Sequence, residues 1–211
     1  MVKTVPAREI TLHELTQKFK LQFVDDQHFF REWQDQLPEI TDLEKKRLDR
    51  VKTSYSNLIE DPPLLENTVK MVVLSPLLDL AGFYLPPFRI RSEKSIEISL
   101  EDQGIIIKGQ IDVLVLCDEF WVVVIESKQA AFSLEVGKSQ LLTYMLANPH
   151  PDHPTYGLIL NGSNFRFVKL IKGERYQYSV SKMFDLFNPG NDLYDVLRVL
   201  KRLGELISDR F

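Results

Sequence analysis

GQIDVLVLCDEFWVVVIESKQ, residues 109–129, reads as the inside of a β-sheet, yet it carries Asp112, Glu126 and Lys128 in or beside its apolar runs. Ionised groups are costly there unless paired, hydrated or bound to a metal. Strand side chains alternate with a period of two, so Asp112 shares a face with Leu114 and Leu116, and Glu126 and Lys128 share one with Val122 and Val124. A turn centred near Glu119 sets Asp112 directly opposite Glu126, with Cβ atoms about 5 Å apart. Moving that centre by one residue makes Val124 the partner and leaves both carboxylates on one face.

Two carboxylates so close in a partly dry setting raise each other's pKa unless a cation lies between them. A hard divalent ion meets that need. Mg²⁺, with Mn²⁺ as a substitute, suits a site that keeps several waters and takes further ligands from phosphates. Lys128 can pair with the carboxylates, hold a phosphate oxygen or orient a water. Acid, acid and lysine around one ion are the parts for phosphodiester cleavage, with Asp112 and Glu126 as ligands and Lys128 offsetting transition-state charge. The competing reading makes Glu126 with Lys128 an edge-strand ion pair, or a device against edge-to-edge aggregation.

The rest of the chain places this pair in a fold. Residues 1–9 read as a frayed arm, and Leu12 to Glu60 as helices broken near Leu37-Pro38, with Thr41 and Glu44 forming a capping box. After Pro62-Pro63 a helix is expected over Leu65–Ala81, bent or broken at Pro76 and stopped by Gly82. SIEISLED (95–102) alternates as a half-buried strand through Ile96, Ile98 and Leu100. Ser133–Ala147 reads as a helix, YGLIL and FRFVKLI as strands around an Asn161-Gly162 turn, YQYSV as a further strand, and DLYDVLRVLKRLGELI as an amphipathic helix. The order implies an α/β or α+β fold with a mixed sheet whose centre lies near Asp112. Residues 1–60 form an N-terminal helical extension and 61–211 the main domain.

At 211 residues, 44% apolar and 27% charged, the composition is that of a globular protein with a sizeable core. A net charge of -4 gives no bulk attraction for nucleic acid, so a polyanion would have to meet a local basic surface. Cys117 is the only cysteine, which excludes an internal disulfide and suits a reducing, cytoplasmic setting. No membrane partner is expected, because no run of 18 apolar residues occurs. Neither GxGxxG nor GxxxxGK[ST] is present.

On GQID, on VVVIESK, and on QLLTY beginning twelve residues beyond the lysine, the chain resembles the PD-(D/E)XK nuclease superfamily, and within it the N-terminal nuclease domain of type I restriction enzyme R subunits. Asp112 matches the first motif acid, Glu126-Ser127-Lys128 the (D/E)XK element, and Gln140 with Tyr144 the QxxxY motif. ENTVKMVVLSPLLDLAGF resembles the first core helix, with Glu66 at its acidic position. The likeness spans about Leu64 to Leu170. Ile111 stands where the nominal proline precedes Asp112.

The resemblance implies a restriction-endonuclease-like core and a Mg²⁺-dependent DNA nuclease, endonuclease or exonuclease, of the restriction-modification kind. It implies the Ser127 carbonyl as a further metal ligand, Glu66 acting through metal-bound water, Gln140 arranging the site or the DNA backbone, and Tyr144 supporting it. With no room for a helicase motor, it also implies a freestanding domain whose motor or specificity subunit is separate. The alternative is a catalytically inactive nucleic-acid-binding or assembly module on the same fold.

Arg89, Arg91, Lys94 and Lys108 are candidates for backbone phosphate contacts. The basic stretch EKKRLDRVK reads as a solvated helix face. His150 and His153 around Asp152 match no standard zinc spacing, and Trp121 reads as sheet packing. Leu193, Val196, Leu197, Leu200, Leu203 and Ile207 make an apolar stripe that packs onto its own domain or onto a second copy.

Overall fold

The computed structural model describes residues 3–100, 104–131 and 133–209. In chain order these are β1 (Lys3–Pro6), a 3-10 turn (Ala7–Glu9), α1 (Leu12–Phe19), β2 (Gln22–Phe23), α2 (Asp42–Ile59), α3 (Glu66–Val69), a π turn (Lys70–Leu74), α4 (Ser75–Leu80), β3 (Phe88–Leu100), β4 (Ile105–Cys117) and β5 (Phe120–Ser127). Then follow α5 (Leu134–Leu146), β6 (Thr155–Leu160), β7 (Asn164–Lys172), β8 (Tyr176–Val180), β9 (Phe184–Asp185) and α6 (Leu193–Ser208). The fold is mixed α/β: a central sheet flanked by helices, with a helical region at its N-terminal side.

Among the described residues nine strands form one sheet in the order β1-β4-β5-β6-β7-β8-β2, with β3 also on β4 and β9 on β7. The hairpins β4–β5 and β6–β7 are antiparallel, while β5 and β6 run parallel and need the crossover that α5 supplies. Each face buries its own core. Val113, Val115, Val123 and Ile125 pack with Leu48, Val51, Val73, Leu77 and the α6 stripe. Leu114, Val124 and Ile159 pack on the other face with Leu15 of α1 and Leu141, Tyr144 and Met145 of α5.

The α6 stripe is buried in its own domain, Leu193, Val196, Leu197, Leu200 and Leu203 completely and Ile207 almost so. Each such burial is worth about 1.5–3 kcal/mol over exposure. The Thr41–Glu44 capping box forms as expected, and Thr11 with Glu14 makes a second one that starts α1.

The N-terminal expectations need correction. Residues 1–9 are not a frayed arm through their described part: Lys3–Pro6 pairs in parallel with Ile105–Lys108, and Ala7 and Ile10 are buried. Met1 and Val2 lie outside the described residues. Between α1 and α2 the chain is not helical. It makes the two-residue strand β2 on β8, then turns that seat Phe30 and Ile40 in the core. The expected strand at 95–102 begins earlier, at Phe88, and its Glu101 and Asp102 lie outside the described residues.

Pro76 does not break its helix. It has no N–H, and its ring would collide with the carbonyl four residues back. The helix relieves this by widening: Ser75 N–H reaches back five residues to the Lys70 carbonyl, which makes the π turn just before the proline.

Candidate functional site

Two features of β4 and β5 build the site. The first is a fork. β3 lines one edge of β4 except at Asp112, which is skipped between the pairs Ser92–Val113 and Lys94–Ile111, while on the other edge β1 takes Ile105–Lys108 and β5 takes Val113–Cys117. Gly109 to Ile111 fall between, and Asp112 stands where β4 leaves one neighbour and meets the next.

The second feature is a β-bulge. Cys117 pairs with Phe120 around a two-residue turn, Asp118 having a positive φ of 52°. Leu116 pairs with Trp121 but Val115 with Val123, so Val122 is an extra residue in β5. The turn alone would set Asp112 against Ile125 and send Glu126 to the other face. With the extra residue, Val113 pairs with Ile125, the last pair of the two strands before Asp112 and Glu126. The expected register is therefore reached, by a turn half a residue earlier plus a bulge.

The charges are paired by lysines. Lys128 Nζ lies 2.5 Å from Glu126 Oε1 and 2.9 Å from Gln140 Oε1, and Gln140 Nε2 donates to the Tyr144 hydroxyl at 2.7 Å. Lys70 Nζ donates to Asp112 Oδ1 at 2.9 Å and lies 2.7 Å from Glu66 Oε1. The Ser127 backbone N–H donates to Asp112 Oδ2 at 2.8 Å. Every residue that the sequence nominated at the site thus joins one of two linked chains of hydrogen bonds, Glu66–Lys70–Asp112–Ser127 and Glu126–Lys128–Gln140–Tyr144.

Lys70 is the member that sequence reasoning missed. Its signal was present, a lysine four residues after Glu66 on one helix, but that spacing reads as an ordinary surface pair. Here it reaches from the helix whose Val69 and Val73 pack in the α2 and α6 layer.

Two glycines make room for the network. A Cβ on Gly137 would meet Lys128 Cε at 2.8 Å and Ile159 Cδ1 at 2.5 Å, so the bare backbone of α5 is what lets Lys128 lie across it. A Cβ on Gly109 would meet Tyr144 Cε1 at 2.6 Å.

Glu126 is 1% exposed, and its Oε2 is buried with no hydrogen-bond partner among the described residues. Burial, and then the charge of Asp112, push its pKa up to about 8 despite Lys128. Burial and the charge of Glu126 likewise hold the Tyr144 hydroxyl at about 12. For Lys70, burial works against the charge, but hydrogen bonds to Glu66 and Asp112 outweigh it and its pKa is raised.

The expected Mg²⁺ or Mn²⁺ site is not supported. Among the described residues no group of three or more His, Cys, Asp and Glu side chains is placed to hold a metal ion. The donor chemistry gives the reason. Of the four oxygens of Asp112 and Glu126, three are committed to Lys70, Lys128 and the Ser127 N–H, whereas a hard cation asks for about six oxygen ligands. Ammonium groups supply the positive charge that two facing carboxylates require.

Outside this network, Arg89 and Arg91 are exposed on β3 opposite Leu116 and Leu114, and Lys94 is exposed opposite Ile111. No carboxylate partner for these three occurs among the described residues. Lys108 pairs with Glu97 at 2.9 Å. His150 and His153 pack their rings against Phe120 at 4.6 and 5.4 Å. Trp121 is buried in the sheet as expected.

The chain matches no protein-family model and no curated protein. Among the described residues no helix is long and apolar enough to cross a membrane.

Proposed function

We propose that the chain is a DNA-cleaving phosphodiester hydrolase of the cytosol, with its site at the β4–β5 fork. The observation that carries this reading is the convergence of Glu66, Asp112, Glu126, Lys128, Gln140 and Tyr144, which are scattered over 79 residues of sequence, into two adjoining polar chains at the β4–β5 fork. A structural ion pair needs two of these groups, not six.

The roles follow from chemistry. Lys128 and Lys70 face a phosphate with two ammonium groups and offset the charge that builds on its non-bridging oxygens. Glu126, its pKa raised to about 8, takes in its ionised form a proton from a water attacking phosphorus, as the P–O bond to the leaving oxygen breaks and solvent protonates that oxygen. Asp112 and Gln140 hold the two lysines in place, and the exposed Arg89, Arg91 and Lys94 give DNA a basic approach on a protein of net negative charge.

Plasmid and linear duplex DNA, incubated with purified protein with and without added divalent cation, provide the test. Wild type is expected to cut, whereas Glu126→Gln and Lys128→Met are expected to bind DNA without cutting. Variants that cut as fast as wild type would overturn the assignment.

A second reading is a DNA-binding module that does not cut. It is favoured by one observation: both lysines are already satisfied by carboxylates. Wild-type protein that binds DNA and leaves it intact under every condition would establish this reading instead.

A further inference from the structure

The fork in β4 opens into a cleft of about 470 Å³, lined by Pro6, Ala7, Arg8, Lys108, Gln110, Gln140 and Tyr144 among others. Its walls come from parts of the chain far apart in sequence. The end of β1 and the 3-10 turn close one side, the run of β4 that leaves β1 before meeting β5 forms the floor, and α5 closes the other side. Gln140 and Tyr144 belong to both places: they line the cleft and, through the Gln140 carbonyl oxygen, hold Lys128. The cleft is thus continuous with the site through two side chains. Arg8 is exposed at its wall with no carboxylate partner among the described residues, and Lys108 stands beside it, shared with Glu97.

We infer that this cleft seats a second phosphate of the DNA strand, neighbouring the one at Lys128, with Arg8 as its principal counter-charge and Lys108 as an auxiliary one. The inference rests on the proposed action on DNA and deepens it. The N-terminal segment becomes a wall of the substrate channel, and the strand lies along β4 from the basic row of β3 toward α1. A guanidinium suits the task because its fork of N–H donors matches two phosphate oxygens at once.

The salt dependence of binding reads phosphate contacts directly, since each one lost lowers the slope of log K against log salt by about 0.9 for duplex and about 0.7 for single strands. Binding of a fluorescent DNA duplex is measured over a range of salt for wild type, Arg8→Ala, Arg8→Glu and the remote exposed control Arg175→Ala. Arg8→Ala is expected to lower the slope by about 0.9, Arg8→Glu to weaken binding further, and the control to match wild type. Arg8 variants with the wild-type slope would overturn the cleft assignment while leaving the functional reading standing. No binding by wild type at any salt would overturn both.

Discussion

Lys70 Nζ sits 2.9 Å from Asp112 Oδ1 and 2.7 Å from Glu66 Oε1, so a single ammonium ties the helical segment that begins at Glu66 to β4 of the sheet. All three side chains are at most about one-third exposed, so the bonds are only partly screened. Lys70→Met is expected to cost about 1.5–3 kcal/mol, the range for a hydrogen bond to a charged group. It should also reduce cleavage at least tenfold. A denaturant titration checks the first figure. A double-mutant cycle with Asp112→Asn then isolates the pair, and a coupling energy near zero would refute the tie.

Glu126 predicts a pH effect of definite sign. Its folded pKa, about 8, lies above the ordinary 4.5, so its contribution to stability is fully present below about pH 4.5 and is lost as pH rises through 8. Glu126→Gln carries no such titration. The melting temperature of the variant minus that of wild type should therefore grow from pH 5 to pH 9. A difference that is flat or that shrinks over this range would contradict the raised pKa. For a chain of this size each kcal/mol corresponds to roughly 2–4 °C.

Gly137→Ala tests the room made for Lys128. The added methyl would lie 2.8 Å from Lys128 Cε, the movable end of a flexible side chain, and 2.5 Å from Ile159 Cδ1. Lys128 must shift, and a displacement of about 1 Å can cost about a hundredfold in rate. The helix gains roughly 1 kcal/mol from losing a glycine, which offsets the crowding. Cleavage is expected to fall by one to two orders of magnitude with little change in melting temperature, and Ile159→Val in the same protein should recover part of the loss.

The bulge can be tested by count rather than by chemistry. Removing Val122 leaves the turn and both strands but reverses the faces of Glu126 and Lys128, driving two charges into the core beneath α2 and α6. This deletion is expected to abolish folding, seen as loss of solubility or of the far-UV circular dichroism signal. Val122→Ala keeps the count and should fold, at a cost of roughly 2 kcal/mol.

Much of this was legible in the residues themselves. VLVL and VVVI read as strands because they are short, β-branched and bounded by turn residues, and the expected register recurs at Val113 and Ile125, though through the Val122 bulge and not by alternation alone. Gln140 and Tyr144 were nominated by the QxxxY resemblance. What escaped was of three kinds. KTVP and QF are strands only because β4 and β8 offer them edges, and nothing local marks a parallel partner that lies a hundred residues away or more. The extra residue at Val122 is invisible in a run of three valines. The ion was expected because two carboxylates call for positive charge, but sequence could not reveal that Lys70, 42 residues before Asp112, arrives there first.

The π turn has a consequence for how the site is aimed. One additional residue per turn rotates everything before it by about 100° relative to everything after it. Leu77 and Leu78 sit in the core on the far side of that turn, while Glu66 and Lys70 lie at or before its start and point at Asp112. Pro76 therefore acts as an angular setting for a charge six residues upstream. A Pro76→Ala protein, free to close into a regular helix, would keep every polar residue of the site and yet turn its lysine away from the strand it serves.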